Sequence, residues 1–238
     1  MVPTDYGKLF YSQLIGPLEG LERLESEFRY TRESDIPLTC IGVSRDFYTN
    51  KISSKVGLAP ANLVFEFDDF SILKDNLLLG NLNFLISEYS GQEKNIQYEE
   101  IFISEDIVVA NSSLDTHELD ILSVDQQDEI EQWLLNQKWY TYSSDLILVK
   151  SFWQENFKKR PNIKPCLIIP DFNALIGTLI QGHGLSIVPS YIAESYIQDK
   201  KLKEICPNLK KHPIKLYLAY NKNVVSSHQI DMIKDLLL

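Results

Sequence analysis

Few side chains in this sequence stand at spacings that do chemistry. The four histidines, His117, His183, His212 and His228, are too far apart to form the short-range ligand pairs of metal sites. The cysteines Cys40, Cys166 and Cys206 are odd in number and dispersed, with no Cys-x-x-Cys, so they read as reduced thiols and small buried hydrophobes. No Gly-x-Ser-x-Gly elbow, Gly-x4-Gly-Lys-Ser/Thr loop or Gly-x-Gly-x-x-Gly fingerprint occurs. Gly182-His183-Gly184 alone is a turn. Asp125, Asp128, Glu129 and Glu131 read as a solvated helical face. An acid–base pair would have to be built from residues distant in sequence. The expectation is therefore no catalytic residue, no metal and no cofactor. What remains is polar chemistry at element ends. Ser44 follows an apolar run, where its hydroxyl either caps a helix or faces a ligand. Arg45 can grip a carboxylate through two parallel hydrogen bonds or pair with Asp46.

These residues need elements to hold them. Residues 4–29 predict one amphipathic helix, because Leu14, Leu18, Leu21, Leu24 and Phe28 recur at spacings of three and four. Thr4 or Asp5 serves as its cap, and Pro17 predicts a kink near Gly16. The narrow stripe, flanked by Glu19, Glu22, Arg23 and Glu25, suits a dimerising helix; lying on its own domain is the other reading. From Pro37 short strands alternate with helices. Strands are predicted at 38–43, 63–67, 83–87, 96–103 and 106–110, and helices at 47–55 and 70–79, with Gly80-Asn81 as a C-terminal stop. The second half predicts helices at 126–136, 152–159, 172–181, 191–198 and 228–237. Its strands fall at 139–142, 166–169, 185–188 and 215–219, with a further apolar run at 146–149. This alternation argues for βαβ units and a parallel sheet covered by helices.

Charge bounds the partners. Lys and Arg number 23 against 33 Asp and Glu, a net charge of −10, which argues against gripping DNA or RNA with these residues. The basic clusters Lys158-Lys159-Arg160, Lys200-Lys201 and Lys210-Lys211 are short and read as helix-end decoration. Hydrophobic residues are 44% and charged residues 24%, which excludes a disordered chain. No secretory signal opens the sequence, and no run approaches the ~20 apolar residues of a membrane span. A cytoplasmic location without membrane contact is expected.

The segment Ile169-Pro-Asp-Phe-Asn-Ala-Leu-Ile-Gly-Thr-Leu-Ile-Gln-Gly-His-Gly-Leu-Ser-Ile-Val-Pro189 resembles the signature of LysR-type transcriptional regulators. There a capped helix leads through Gly-x-Gly into a short strand ending in proline. Leu38-Thr-Cys-Ile-Gly-Val-Ser44 resembles the family's opening strand. Leu79-Gly-Asn-Leu-Asn-Phe-Leu-Ile86 resembles its third-strand segment, with Asn83 where the family usually has Asp. Lys215-Leu-Tyr-Leu-Ala-Tyr220 resembles the strand that returns to the first half. Pro3-Thr-Asp-Tyr-Gly7 and Leu9-Phe-Tyr11 look like the junction between the winged helix-turn-helix and the linker helix, which places the DNA-reading helix before Met1.

The resemblance implies an α/β fold of two Rossmann-like subdomains with a cleft, of the type 2 periplasmic binding protein kind, preceded by a linker helix. Residues 1–30 would be the linker and dimerisation helix. Residues 37–111 with 213–238 would form subdomain I, and 112–212 subdomain II. The implied effector-binding residues are Ser44, Arg45, Ser87, Glu88, Tyr142, Ser143, Ser144, Asp171 and Asn173, with Phe172 nearby. Asp171 also reads as a plain helix cap, and Tyr142 as core. If Arg45 and Asp171 both face the cleft, their opposite charges could hold the two ends of a zwitterion such as an amino acid. The implied function is effector sensing and oligomerisation within a regulator of transcription. Its partners would be a small-molecule effector, copies of itself as a homodimer or tetramer, and DNA only through the winged helix-turn-helix. A stand-alone solute-binding protein is the second reading, and an enzyme on the same fold the third.

Overall fold

The computed structural model describes residues 4, 6–7, 10–11, 13–15, 17–18, 20–21, 38–57, 59 and 61–237. Wherever it is described, the segment from Tyr6 to Leu21 is helical, Pro17 included. The expected kink at Gly16 and the stripe residues Leu24 and Phe28 lie outside the described residues. Strand β1 is Leu38–Val43. A helix in three parts follows, α1: Arg45–Phe47, a π turn Tyr48–Ile52, and Ser53–Val56. Then come β2 (Asn62–Glu66), α2 (Phe70–Leu79), β3 (Phe84–Ser87) and β4 (Ile96–Asn111). The short α3 (His117–Asp120) leads to α4 (Gln127–Leu135), β5 (Lys138–Thr141), α5 (Ile147–Asn156) and β6 (Leu167–Ile168). The chain ends with α6 (Phe172–Gln181), β7 (Gly184–Pro189), α7 (Ser190–Gln198), β8 (Leu202–Ile205), β9 (Pro213–Asn221) and α8 (Ser227–Leu237).

The chain divides into two units. The first gathers described residues of 1–44, 54–99 and 217–238, and the second 45–53 and 100–216. This differs from boundaries placed at 111/112 and 212/213. Two of the four crossings fall inside strands β4 and β9, and the other two bracket residues 45–53 of α1.

In the first unit, β1 pairs in parallel with β2 and β3, and β3 pairs antiparallel with β9, Phe84 opposite Tyr220. The last strand thus rejoins the first half, as its sequence led one to expect. Leu73 and Leu77, four apart on one face of α2, pack with Cys40, Leu82, Leu85 and Ala219. A Cβ at Gly42 would stand 2.6 Å from Leu82 Cδ1, so any larger residue there would push the Leu82 side chain aside. Gly80 ends α2 at φ 79°, and the Asn81 N–H donates to the Asn76 carbonyl at 2.8 Å. Asn83 explains its own departure from the family pattern. Its N–H donates to the Cys40 carbonyl at 2.9 Å, and its Oδ1 accepts from the Cys40 N–H at 2.7 Å. An amide oxygen serves that second bond as a carboxylate would.

In the second unit, β4 pairs antiparallel with β7 and β8, and β5 pairs in parallel with β7 and β6. Val108 and Ala110 face a core built on Trp133, Leu134, Trp139, Val149, Phe152 and Trp153. Ile107 and Val109 face the opposite layer, with Tyr140, Leu175, Ile176, Leu179, Val188 and Ile192. Successive residues of a strand point to opposite faces, so a run buried on both sides must be apolar throughout.

Three expectations are corrected. Residues 96–103 and 106–110 are one strand, because polar Ser104 is buried and meets Ser190 Oγ at 2.9 Å rather than breaking the run. The apolar run 146–149 opens α5 and is no strand. Asp145 Oδ1 accepts from the Ile147 N–H at 3.3 Å, and Val149, Phe152, Trp153 and Asn156 then repeat at helical spacing on the buried face. Strand β8 was not foreseen, since Lys203 and Glu204 hide a four-residue strand.

Glu131 corrects the solvated-face reading of its helix. It is buried, accepts from Trp153 Nε1 at 3.2 Å, and meets Lys159 Nζ at 2.5 Å. Replacing Glu131 with Ala leaves the indole N–H without its acceptor and should cost about 1–3 kcal/mol in urea unfolding, while Gln, which keeps an acceptor, should cost less.

Candidate functional site

The candidate residues fall in both units. In the first, Ser44 is exposed directly after β1, Ser87 ends β3, and Glu88 is exposed. Ser87 Oγ donates to the Tyr89 carbonyl at 3.4 Å. The loop beyond is clasped. Glu93 meets Lys74 Nζ at 2.5 Å and accepts from Tyr98 at 2.6 Å and Tyr89 at 3.0 Å. Lys74 also stands over the Tyr89 ring at 4.4 Å. Sequence reading missed this clasp, since its members are up to 24 residues apart (98 − 74).

In the second unit, Arg45, Asp171 and Asn173 come together around Asp46. Asn173 Nδ2 donates to Asp46 Oδ1 at 2.9 Å. Asn50 Nδ2 donates to Asn173 Oδ1 at 3.2 Å and to the Asp46 carbonyl at 2.8 Å. The helical spacing of four between Asp46 and Asn50 was the one signal that could have found Asn50. Burial and the nearby Asp171 push the Asp46 carboxyl above the usual range, against the pull of Arg45 and the Asn173 amide. Asp171 does cap α6, accepting from the Ala174 N–H at 2.8 Å. It therefore fixes the helix and places a second carboxylate beside Asp46.

Next to this cluster, Tyr142 stacks on Phe172 with ring centroids 4.4 Å apart. Ser143 Oγ donates to Asp145 Oδ1 at 2.5 Å, and Ser144 is exposed. Thr141, Tyr142, Ser143 and Ser186 line a crevice of about 10 Å³, the size of one water. Ser186 is fully buried, and its Oγ has no hydrogen-bond partner among the described residues. No sequence pattern marked it out, because it sits within the apolar strand Gly184–Pro189. Among the described residues no group of three or more His, Cys, Asp or Glu is arranged for a metal ion, and no described helix is long and apolar enough to cross a membrane.

No protein-family model and no curated protein sequence matches this chain. Solved structures do. The chain is similar to DarR of Vibrio fischeri in complex with DNA, with TM-score 0.67 and 16% identity over 98% of this chain and 79% of that one. The regulatory domain of CrgA from Neisseria meningitidis matches with TM-score 0.63 and 13% identity over 85% of this chain and 98% of that one. The fold is that of LysR-type regulators. Full-length LysG of Corynebacterium glutamicum, a structure with bound effector Arg, matches with TM-score 0.63 and 12% identity over 98% of this chain and 77% of that one. The likeness of fold agrees with the sequence resemblance.

The clasp in the first unit gives a pH prediction. The Glu93 carboxyl is lowered to about 2, first by Lys74 and then by Tyr98. Because the unfolded chain lacks these partners and its carboxyl returns to the ordinary, higher value, the stabilisation is present above the ordinary carboxylate range and fades as pH falls toward about 2. Following Tyr89 and Tyr98 by NMR from pH 5 to pH 1.5 should show the clasp opening only at the acid end. In Glu93→Gln no such acid transition should appear.

Proposed function

We propose that this chain is the effector-sensing and oligomerising part of a LysR-type transcriptional regulator, and that it binds its ligand without turnover. The observation that carries the reading is the polar cluster of Arg45, Asp46, Asp171 and Asn173, assembled in a fold that is similar to solved LysR-type regulators. Effector binding would shift the population between states of the regulator, and a winged helix-turn-helix would carry the response to DNA in the cytoplasm. Ser44, Ser87 and Glu88 of the first unit, and Tyr142, Ser143 and Ser144 of the second, stand as proposed effector contacts on the strength of the resemblance.

Two carboxylates against one guanidinium favour a ligand that brings an ammonium group, and Arg45 supplies the counterpart for a carboxylate. The chemistry fits an amino acid. LysG, whose bound effector is Arg, supports taking basic amino acids first. Isothermal titration should show binding of a free amino acid, and roughly tenfold weaker binding of its N-acetyl or amide analogue. Asp171→Asn keeps the helix cap and removes the charge, so it should weaken the free amino acid by a similar factor. Equal binding of all analogues would refute the zwitterion reading.

Self-association rests on exposed apolar side chains. Phe10, Tyr11, Leu14, Leu18 and Leu21 are exposed on the leader helix. Phe70, Ile72, Leu78 and Leu79 are exposed on α2, and Val64 is exposed on β2. Such patches mark interaction surfaces. Analytical ultracentrifugation should find a dimer or tetramer, and Leu14→Glu combined with Leu21→Glu should shift it toward smaller species without changing the circular dichroism.

A further inference from the structure

The second unit carries a groove of about 450 Å³ that shares no residue with the effector cluster. It is formed by Lys51 of α1, the Phe102–Ile107 stretch of β4, α7, Glu204 of β8 and Lys211. That volume lies in the range of small-molecule sites. Beneath it, Phe47, Phe102 and Tyr191 pack edge to face, with centroids 5.5, 5.6 and 5.8 Å apart.

Its charges are unequal. Lys51 and Lys211 face Glu105, Glu194 and Glu204. Lys51 Nζ is taken by Glu194 at 2.7 Å, and Lys211 Nζ by Glu204 at 2.7 Å. Glu105 stands 3.8 Å from Lys211, beyond hydrogen-bond reach, with its side chain half exposed. One carboxylate is thus in surplus over the two ammonium groups. The groove already holds a cation against an aromatic face, since Lys51 Nζ lies 5.5 Å from the centre of the Phe102 ring. Ring faces and a surplus carboxylate select the same partner, a cation on an apolar body.

We infer that this groove is a second ligand site, for an aromatic amine whose ring lies on Phe102 and Tyr191 and whose ammonium is taken by Glu105. Lys51 lies in the π turn of α1, one residue beyond Asn50, which bonds Asn173 and Asp46 of the effector cluster. Such turns recur at functional positions in helices.

Tryptamine tests the site directly, and 3-indolepropionate is its anionic counterpart. Titrated into the full chain, tryptamine should bind and 3-indolepropionate should not. Glu105→Gln, an isosteric surface change, should weaken tryptamine roughly tenfold. Phe102→Leu should weaken it further, while Asp171→Asn should leave it unchanged. Loss of tryptamine binding in Asp171→Asn with retention in Glu105→Gln would place the amine at the effector cluster and overturn the inference. So would equal binding of the anionic analogue, or no tryptamine binding at millimolar concentration. The amino-acid titrations read a different cluster, so either reading can fail alone.

Discussion

One constraint organises the second unit: the middle of β4 is buried on both faces. Ile107, Val108, Val109 and Ala110 are all nearly inaccessible. A strand with water on neither side needs a helical layer on each, and those layers are supplied by α4 with α5 on one face and α6 with α7 on the other. The positions of the functional side chains follow. α6 must lie with its N-terminus near the end of β5, which brings Asp171, Phe172 and Asn173 beside Tyr142. α7 must follow β7 directly, which sets Tyr191 and Glu194 against α1. Burying one such aliphatic side chain contributes about 1.5–3 kcal/mol. The polar cluster contributes far less, so the core holds the site and not the reverse.

The acidity of the chain is only partly a surface property. Glu131 sits under the Trp153 indole, and Asp46 is held by two asparagines and crowded by Asp171. Glu99 takes Lys234 and the Tyr220 hydroxyl within the first unit. In each case the carboxylate has a donor that accounts for its position, as burial requires. The charge of −10 therefore does more than decorate the surface. It supplies acceptors inside the fold and leaves unequal charge at two places, around Asp46 and at Glu105.

Much of this was legible in the sequence. Helix α2 could be bounded to the residue, because Gly80 supplies the left-handed stop and the pattern Leu73, Leu77 has one period. Strand β1 and helix α6 were equally plain, the latter through Asp171 and its cap. What stayed hidden has a common cause. The continuity of β4 depends on Ser104 finding Ser190, 86 residues away. The burial of Glu131 depends on Trp153 and Lys159. The pairing of Asp46 with Asn173 spans 127 residues. Each is a polar residue whose environment is set by a distant partner, and local periodicity is blind to that.

Helix α1 shows how such long-range pairing concentrates chemistry in a short segment. A regular α-helix advances about 100° per residue, so neighbouring side chains already diverge. The π turn Tyr48–Ile52 adds a residue to that turn, with the Ser53 N–H reaching back to the Tyr48 carbonyl. Asn50 is thereby turned to Asn173 on α6, while Lys51 is turned to Glu194 on α7. Between them, Phe47 is buried against Phe102 and Tyr191 and fixes the helix in depth. Rotation of α1 about its axis would disturb both polar contacts at once, whereas the buried ring resists translation. A segment of nine residues, 45–53, thus ties two helices of the second unit to one rigid anchor.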